Sequence, residues 1–168
     1  MFYRYGRGDE PDLQPTKNWI RRVLLYGAYL DGTRYYYSPD VFLFFFSRLL
    51  EENPDSDIHQ DTVPLPREHI QKRINADGDA MELAIRILAC YSLGIRHKID
   101  LTKQLSLQQE DGGWEIGYLC RTGKTGSRLV NRGYTIALAV NAVGALLTTR
   151  ALSRNGILID EGFVESNA

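Results

Sequence analysis

The stretch AMELAIRILACYSLG at residues 80–94 decides the fold class, because it is apolar along its length and long enough for a helix. Asp77-Gly78-Asp79 stands directly before it, and aspartate is a preferred residue at helix starts. Gly94 stands at its end, where glycine commonly closes a helix. The stretch therefore predicts a long apolar helix that begins after the aspartates.

Helix signals continue in both directions. Apolar spacing, caps and glycine or proline breaks predict five more helices, at about residues 16–29, 39–52, 67–75, 100–111 and 134–150. Irregular structure is predicted for a lead-in at 1–15, a loop with three prolines at 53–66 and a tail at 151–168. No strand alternation lasts. The sequence predicts one all-α domain across residues 1–168, built of antiparallel helical hairpins.

The first two predicted helices carry much of the apolar surface. Trp19, Val23, Tyr26 and Leu30 recur at three- and four-residue spacing, which predicts an apolar face that needs a partner. VFLFFF at residues 41–46 is apolar all round, which favours burial on most sides.

The composition excludes several classes of protein. Hydrophobic residues make up 43% and charged residues 24% of the 168, close to the average of globular domains. Lysine and arginine number 20 against 21 acidic residues. The chain therefore lacks the excess of positive charge that binds a nucleic acid backbone. We expect neither a signal peptide nor a membrane span, since no apolar run approaches about 18 residues. Two cysteines without metal-binding spacing fit a reducing compartment, and we expect a cytoplasmic protein.

A second motif, LSLQQEDGGW at residues 105–114, lies between two predicted helices. Its Asp-Gly-Gly sequence makes a sharp turn, and the indole of Trp114 can cover a helix end. The motif resembles the QW repeat of squalene and oxidosqualene cyclases, in the α/α-toroid class of terpenoid cyclases and prenyltransferase β-subunits. The resemblance implies structural roles for Gln108, Gly112, Gly113 and Trp114, with the glutamine amide tying one helix end to the next helix.

The resemblance also implies a partial α/α toroid. A complete toroid stacks roughly twelve helices as pairs in a closed ring, and only six are predicted here. Toroid-like repeats would occupy residues 67–150, with a weaker similarity in the helix pair at 16–52. Because a half ring leaves apolar ends uncovered, we expect a homo-oligomer or a helical partner protein.

The aspartates before the long helix are the candidate catalytic residues. Class II terpenoid cyclases start carbocations with an aspartic acid in a D-x-D-D motif, and Asp77-Gly78-Asp79-Ala80 resembles three of its four positions. The resemblance implies that Asp79 donates the proton and Asp77 supports it, since neighbouring carboxyls keep one of them protonated. The alternative is that both acids only cap the helix.

Aromatic residues concentrated at 19–46 are candidates for substrate binding. Ring faces stabilise carbocations and can seat an isoprenoid. Core packing is the alternative, although three consecutive tyrosines cannot all be buried without partners for their hydroxyls. The candidates are Trp19, Tyr35, Tyr36, Tyr37, Phe42, Phe44, Phe45 and Phe46.

The loop CRTGKTGSRLVNR at 120–132 gathers cations among glycines. Arg121, Lys124 and Arg128 are candidates for binding a diphosphate or carboxylate, and a solvated turn is the alternative. A P-loop is excluded because Tyr118 stands where that motif needs glycine. Scattered histidines and the absence of class I metal motifs from the sequence predict no metal, nucleotide or other cofactor.

These patterns favour a terpenoid-pathway protein, inclined towards an enzyme, that encloses a hydrophobic isoprenoid and cyclises or isomerises it without metal. One alternative is a pericyclic or rearrangement catalyst that acts by enclosure alone. The other is a non-catalytic helical interaction module from a degenerate toroid. A retained acid beside a cavity favours the enzyme, and a large apolar outer face favours the module.

Overall fold

The structure, a computed structural model, describes residues 3–123 and 125–154, and these residues are mostly helical. Single 3₁₀ turns lie at Tyr3–Tyr5, Pro11–Leu13 and Ala28–Asp31. The helices are α1 Gln14–Leu25, α2 Pro39–Glu51, α3 Asp57–Thr62, α4 Pro64–Arg73, α5 Ala80–Ser92, α6 Ile99–Ser106 and α7 Arg132–Arg154, and the strands are β1 Tyr118–Arg121 and β2 Arg128–Val130.

Helix α5 is the centre of the fold and confirms the prediction of a long apolar helix. It packs against α2, α4, α6, α7 and β1, and ten of its thirteen residues are buried. Asp79 accepts hydrogen bonds at its start, and Glu82 completes a capping box. A helix that is apolar on every side can be stable only where other elements surround it.

Two apolar clusters lie on either side of α5. One joins α2, α4 and α5 and includes Leu43, Leu50 and Ile70, each at most 1% exposed. The other joins α5 to α7 and contains Ala139, Ala142 and the indole of Trp114. Small residues on α7 allow its backbone to approach α5 closely.

The predicted loop at 53–66 is wrong, because this segment contains α3 and the start of α4. Ser56 caps α3 by accepting the amide of His59, and Ile58 is 1% exposed and anchors the short helix in the core. Pro64 stands in the first turn of α4, where its missing N–H costs nothing. Pro64 therefore begins a helix and does not extend the loop.

The prediction of no strands is also wrong. Strands β1 and β2 form an antiparallel hairpin, with Arg121 paired to Arg128. The backbone N–H of Arg121 also donates to the carbonyl of Tyr35 at 2.9 Å. The hairpin contacts the distant loop around Tyr35. Its short strands show no alternation of apolar and polar residues from which they could be predicted.

Of the apolar face predicted for the first helix, Val23 packs against the core and the other three side chains point outward. Trp19 is 52%, Tyr26 76% and Leu30 54% exposed, whereas Lys17 and Leu24 are buried. The helix ends at Leu25, earlier than predicted, because Gly27 adopts a left-handed conformation with φ of 65°. No described helix combines the length and the hydropathy needed to cross a membrane.

Candidate functional site

Asp79 lies half-buried at the start of α5, and both of its carboxylate oxygens accept hydrogen bonds. Oδ1 accepts the amides of Met81 and Glu82, each at 2.9 Å. Oδ2 accepts the amide of Tyr118 at 3.0 Å. The carboxylate therefore caps α5 and also ties it to β1.

A pair of tyrosines adjoins this carboxylate. Tyr37 stacks on Tyr118 with ring centroids 4.4 Å apart, and the guanidinium of Arg128 lies 4.9 Å from the centroid of the Tyr118 ring. Glu82 and Asp79 both lie close enough to the Tyr37 phenol to influence its ionisation. Burial and the charges of Glu82 and Asp79 raise the pKa of the Tyr37 phenol well above its usual value, so it stays protonated.

Gly117 allows the chain before β1 to pass close to α5. A Cβ at this position would overlap Met81, so a larger residue would push the strand away from Asp79. The Gly117 amide donates to Oγ1 of Thr135 at 2.9 Å, which holds the segment against α7. A glycine and a buried threonine thus place Tyr118 beside Asp79.

The loop at 33–37 packs against the hairpin, which brings part of the aromatic block to the cationic loop. Nε of Arg121 donates to the carbonyl of Arg34 at 2.7 Å, and Arg34 donates to the carbonyl of Gly123 at 2.6 Å. The Tyr35 ring lies so close to Gly123 that a Cβ there would clash. Of the predicted cations, Lys124 lies outside the described residues.

The other predicted aromatic contacts are divided between distinct places. Phe42 stacks on Tyr29 and Phe46 with centroid distances of 5.7 and 6.2 Å, and Phe46 is only 4% exposed. Phe45 is half exposed and meets Tyr36 edge-on at 5.9 Å. Trp19 lies on the exposed face of α1. The structure therefore does not gather the predicted aromatic residues into one cluster.

Asp77 is exposed. Among the described contacts, none joins its carboxylate to that of Asp79. The carboxyl group linked to Asp79 is that of Glu82, whose Oε2 accepts the Asp79 amide at 3.1 Å. Glu82 is not among the site residues predicted from the sequence. Its signal was the three-residue spacing of a capping box.

A buried ionic network, also missed, lies beneath the candidate site. Arg86 on α5, Asp40 on α2 and Asp100 on α6 have fully buried side chains. Arg86 donates to Asp40 Oδ2 at 2.7 Å and to Asp100 Oδ1 at 3.3 Å. Arg73 adds a second guanidinium on Asp40, with Nε at 2.8 Å from Oδ1. Pairing of the opposite charges offsets the cost of removing them from water.

The QW-like turn is built differently from its predicted form. Trp114 is 2% exposed, and its Nε1 donates to the carbonyl of Gln104 near the end of α6 at 2.7 Å. Gln108 is exposed and donates to the carbonyl of Gly112 at 2.7 Å, within the turn. Gly112 has φ of 81°, a conformation that favours glycine.

Arg132 is the side chain that ties this turn to the next helix. From the first position of α7, it donates to the carbonyl of Trp114 at 3.0 Å, to Gln109 at 2.8 Å and to Asp111 at 2.6 Å. Its guanidinium lowers the pKa of the Asp111 carboxyl. A Cβ on Gly113 would lie 2.8 Å from Nη2 of Arg132, so glycine makes room for this contact.

Within residues 3–123 and 125–154, no group of three or more His, Cys, Asp or Glu side chains is arranged to hold a metal ion. The candidate site of the described chain consists of the Asp79 carboxylate, the stacked rings of Tyr37 and Tyr118, and Arg128.

Comparison with known proteins gives one informative similarity. Over 143 residues, or 85% of this chain, the sequence is 41% identical to the drimenol cyclase drtB of Aspergillus calidoustus. The match covers 27% of that relative, so the chain spans about a quarter of its length. No protein-family profile matches the chain, and no solved structure matches it. The chain is thus similar, over most of its length, to one part of a terpenoid cyclase.

Proposed function

We propose that this chain forms part of a terpenoid cyclase that encloses a hydrophobic isoprenoid and cyclises or isomerises it by proton transfer from Asp79. The observation that carries the proposal is the bond from the Tyr118 amide to Asp79 Oδ2, which sets an acid beside stacked aromatic rings. The similarity to a drimenol cyclase supports the reaction class.

The hydrogen bonds of Asp79 are compatible with both states of an acid catalyst. Oδ1 accepts two amides, whereas Oδ2 accepts one in the contacts described. A carboxyl oxygen has about two acceptor positions, so Oδ2 has a position for a transferable proton. After transfer, the three N–H donors stabilise the carboxylate that is left.

The proposed reaction is an isomerisation without a redox change. The Asp79 proton adds to one carbon of a carbon–carbon double bond, and the more substituted carbon becomes a cation. A second double bond attacks this cation and forms the ring bond. Loss of a proton from a neighbouring carbon to solvent ends the sequence, and solvent reprotonates Asp79. The molecular formula is therefore unchanged and no metal is required.

The aromatic and cationic residues would have separate roles. The faces of Tyr37 and Tyr118 would stabilise the cationic intermediate, and Tyr35, Tyr36 and Phe45 would extend the apolar contact surface. Phe42 and Phe46 would support these rings from within the core, and Trp19 would contribute only where another surface covers α1. Arg121, Arg128 and Lys124 would hold an anionic end of the substrate, such as a diphosphate.

The architecture we propose is a partial α/α toroid, with one domain across residues 1–168. Packing of α5 against α2 and α7 supports this arrangement of helix pairs. The length of the relative supports it too, because the matched region is only 27% of that protein. Other helical segments, in the same or another chain, would complete the ring.

A specific observation favours a second candidate function. Trp19 on α1, and Tyr26 and Leu30 beyond its end, are apolar side chains that are each at least half exposed. Exposed apolar side chains of this kind suit a helical interaction module that covers them with a partner or a second copy. In this case the chain would support a cyclase without performing the chemistry.

The test is an assay on isoprenoid diphosphates of three chain lengths: geranyl, farnesyl and geranylgeranyl diphosphate. Each is incubated with the protein in the presence of a metal chelator, and products are identified by gas chromatography with mass spectrometry. Calorimetry measures binding of the same compounds. We expect a cyclic product from at least one of them, and none from Asp79→Asn. Absence of both turnover and binding would overturn the proposal and favour the interaction module.

A further inference from the structure

The segment at residues 75–78, which leads to Asp79, is held in place by side chains from two helices. Asn75 has φ of 71°, a conformation that few residues other than glycine adopt. Its amide donates to Asp100 Oδ1 at 3.0 Å, and its carbonyl accepts Nζ of Lys103 at 2.8 Å. Asparagine adopts this left-handed conformation more readily than most residues, and the two hydrogen bonds hold it in place.

Arg86 makes the next contacts along this segment. Its Nη1 donates to the carbonyl of Ala76 at 2.8 Å, and its Nη2 donates to the carbonyl of Asp77 at 3.2 Å. The guanidinium is fully buried, so water cannot replace these bonds without opening the core. The two carbonyls lie only two and three residues before Asp79.

The same guanidinium also holds the other half of the candidate site. Nε and Nη2 of Arg86 donate to Asp40 Oδ2 at 3.1 and 2.7 Å. Asp40 lies in the first turn of α2, three residues after Tyr37. A single planar group with five N–H donors thus connects the segment before Asp79 with the segment after Tyr37.

We propose that Arg86 is a positioning residue, whose buried guanidinium sets Asp79 against the Tyr37–Tyr118 pair. Arg86 has no place in the proton transfer, and it acts through the backbone of residues 76–77 and through Asp40. The consequence for catalysis rests on the proposed function. The consequence for geometry does not, because the hydrogen bond from the Tyr118 amide to Asp79 exists in the protein without substrate.

Arg86→Lys is the test variant, and Arg73→Lys is its matched control. Both replace a guanidinium on Asp40 by an ammonium, which keeps the charge but lacks the planar fork of donors. Arg73 contacts Asp40 through Nε at 2.8 Å and Nη2 at 3.1 Å. Only Arg86 also donates to the carbonyls of Ala76 and Asp77. Any effect specific to Arg86→Lys therefore reports the contacts that Arg73 lacks, which are those with the segment before Asp79 and with Asp100, the acceptor of the Asn75 amide.

The first readout is the amide resonance of Tyr118 in ¹⁵N-labelled protein, because this N–H donates to Asp79. We expect it to shift in Arg86→Lys and to stay in Arg73→Lys. The second readout is the separation of kcat from KM. We expect Arg86→Lys to lower kcat about 10- to 100-fold with KM nearly unchanged. A shift of a catalytic group by about 1 Å can reduce the reaction rate by about this factor.

Gly78→Ala gives the same information if Arg86→Lys does not fold. A Cβ at this position would lie 3.0 Å from Glu82 Cβ and 3.4 Å from Arg86 Nη2. It would displace the segment and leave every buried charge in place. We expect the same shift of the Tyr118 resonance and the same loss of kcat.

The outcomes separate the two proposals. Equal effects of Arg86→Lys and Arg73→Lys, or an unmoved Tyr118 resonance in the folded Arg86→Lys or Gly78→Ala protein, would overturn the positioning role. If the parent protein turns over no isoprenoid, the proposed function fails, and the Tyr118 resonance still decides whether Arg86 positions Asp79.

Discussion

Oδ2 of Asp79 and the backbone amide of Tyr118 are joined by a hydrogen bond of 3.0 Å, although 39 positions of sequence separate the two residues. This bond fixes the start of α5 to β1 and sets the only carboxyl group predicted to donate a proton beside a stacked aromatic pair. The cap of α5 uses only Oδ1, so the contact of Oδ2 with the Tyr118 amide is additional to capping.

Asp79→Asn should lower both turnover and stability more than Asp77→Asn does. The Asp79→Asn amide retains a capping oxygen and lacks the acid, so turnover should fall about 100-fold or more, while unfolding free energy falls by about 1 kcal/mol. Asp77→Asn should have a smaller effect on both turnover and unfolding free energy, because Asp77 is exposed. Product assays and melting curves measure the two effects. Full turnover by folded Asp79→Asn would leave enclosure, as in a pericyclic catalyst, as the surviving mechanism.

Tyr37→Phe and Tyr37→Leu should distinguish the ring from the hydroxyl. Phe retains the stacking on Tyr118, where the ring centroids are 4.4 Å apart, and loses only the hydroxyl. Leu loses both. If the ring stabilises a cation, kcat should fall about 10-fold more in Tyr37→Leu than in Tyr37→Phe, for a loss of about 1–2 kcal/mol. Steady-state kinetics check this, and equal effects would contradict a role for the ring face.

Trp114 should contribute to stability and leave substrate binding unchanged. The indole is 2% exposed, and Trp114→Ala should lower the unfolding free energy by about 3–5 kcal/mol. Trp114→Phe keeps most of the apolar surface but leaves the carbonyl of Gln104 without its donor, and should cost about 1–3 kcal/mol. Chemical denaturation measures both. A variant that melts like the parent and loses ligand binding would reverse the assignment.

The ion pair between Lys17 and Asp57 should make stability fall in acid. Nζ of Lys17 lies 2.8 Å from Asp57 Oδ2, and its hydrogen bond lowers the pKa of the Asp57 carboxyl. A lowered aspartate pKa stabilises the fold above the unfolded value of about 3.9. This contribution is lost as pH falls through the folded-state pKa.

Asp57→Asn tests this pH dependence. It should lower unfolding free energy by about 1 kcal/mol at pH 7, a small value because water screens the half-exposed carboxylate. The difference from the parent should disappear in acid, below the pKa that Asp57 has in the folded state. Glu68→Gln, which removes an exposed pair with Lys72, is the control and should leave the melting temperature unchanged. A difference that persists unchanged in acid would refute the ionic origin.

The exposed side chains of Trp19 and Tyr26 should promote self-association. Trp19 and Tyr26 are 52% and 76% exposed, and their burial between two copies would remove apolar surface from water. Light scattering should show species heavier than the 19.1 kDa chain, and Trp19→Ser with Tyr26→Ser should reduce them. A monomer at all concentrations would rule this out.

Local patterns in the sequence determined the helices that carry their own signals. Asp79 before an apolar run and Gly94 after it define α5, because caps and continuous hydrophobicity act within a few residues. The same local chemistry predicted the turn that ends at Trp114. The terpenoid cyclase resemblance came from these local motifs, and the 41% identical relative supports it.

Tertiary structure alone decided which side chains meet. Nothing near Asp40, Arg86 or Asp100 in sequence shows that their charges share one buried network, because a buried charge is stable only with partners that folding supplies. The hairpin that carries Tyr118 likewise depends on contacts with the distant Tyr35 backbone and Asp79. Periodicity reports the environment of a residue along its own helix or strand, whereas the candidate site consists of groups that approach each other across elements.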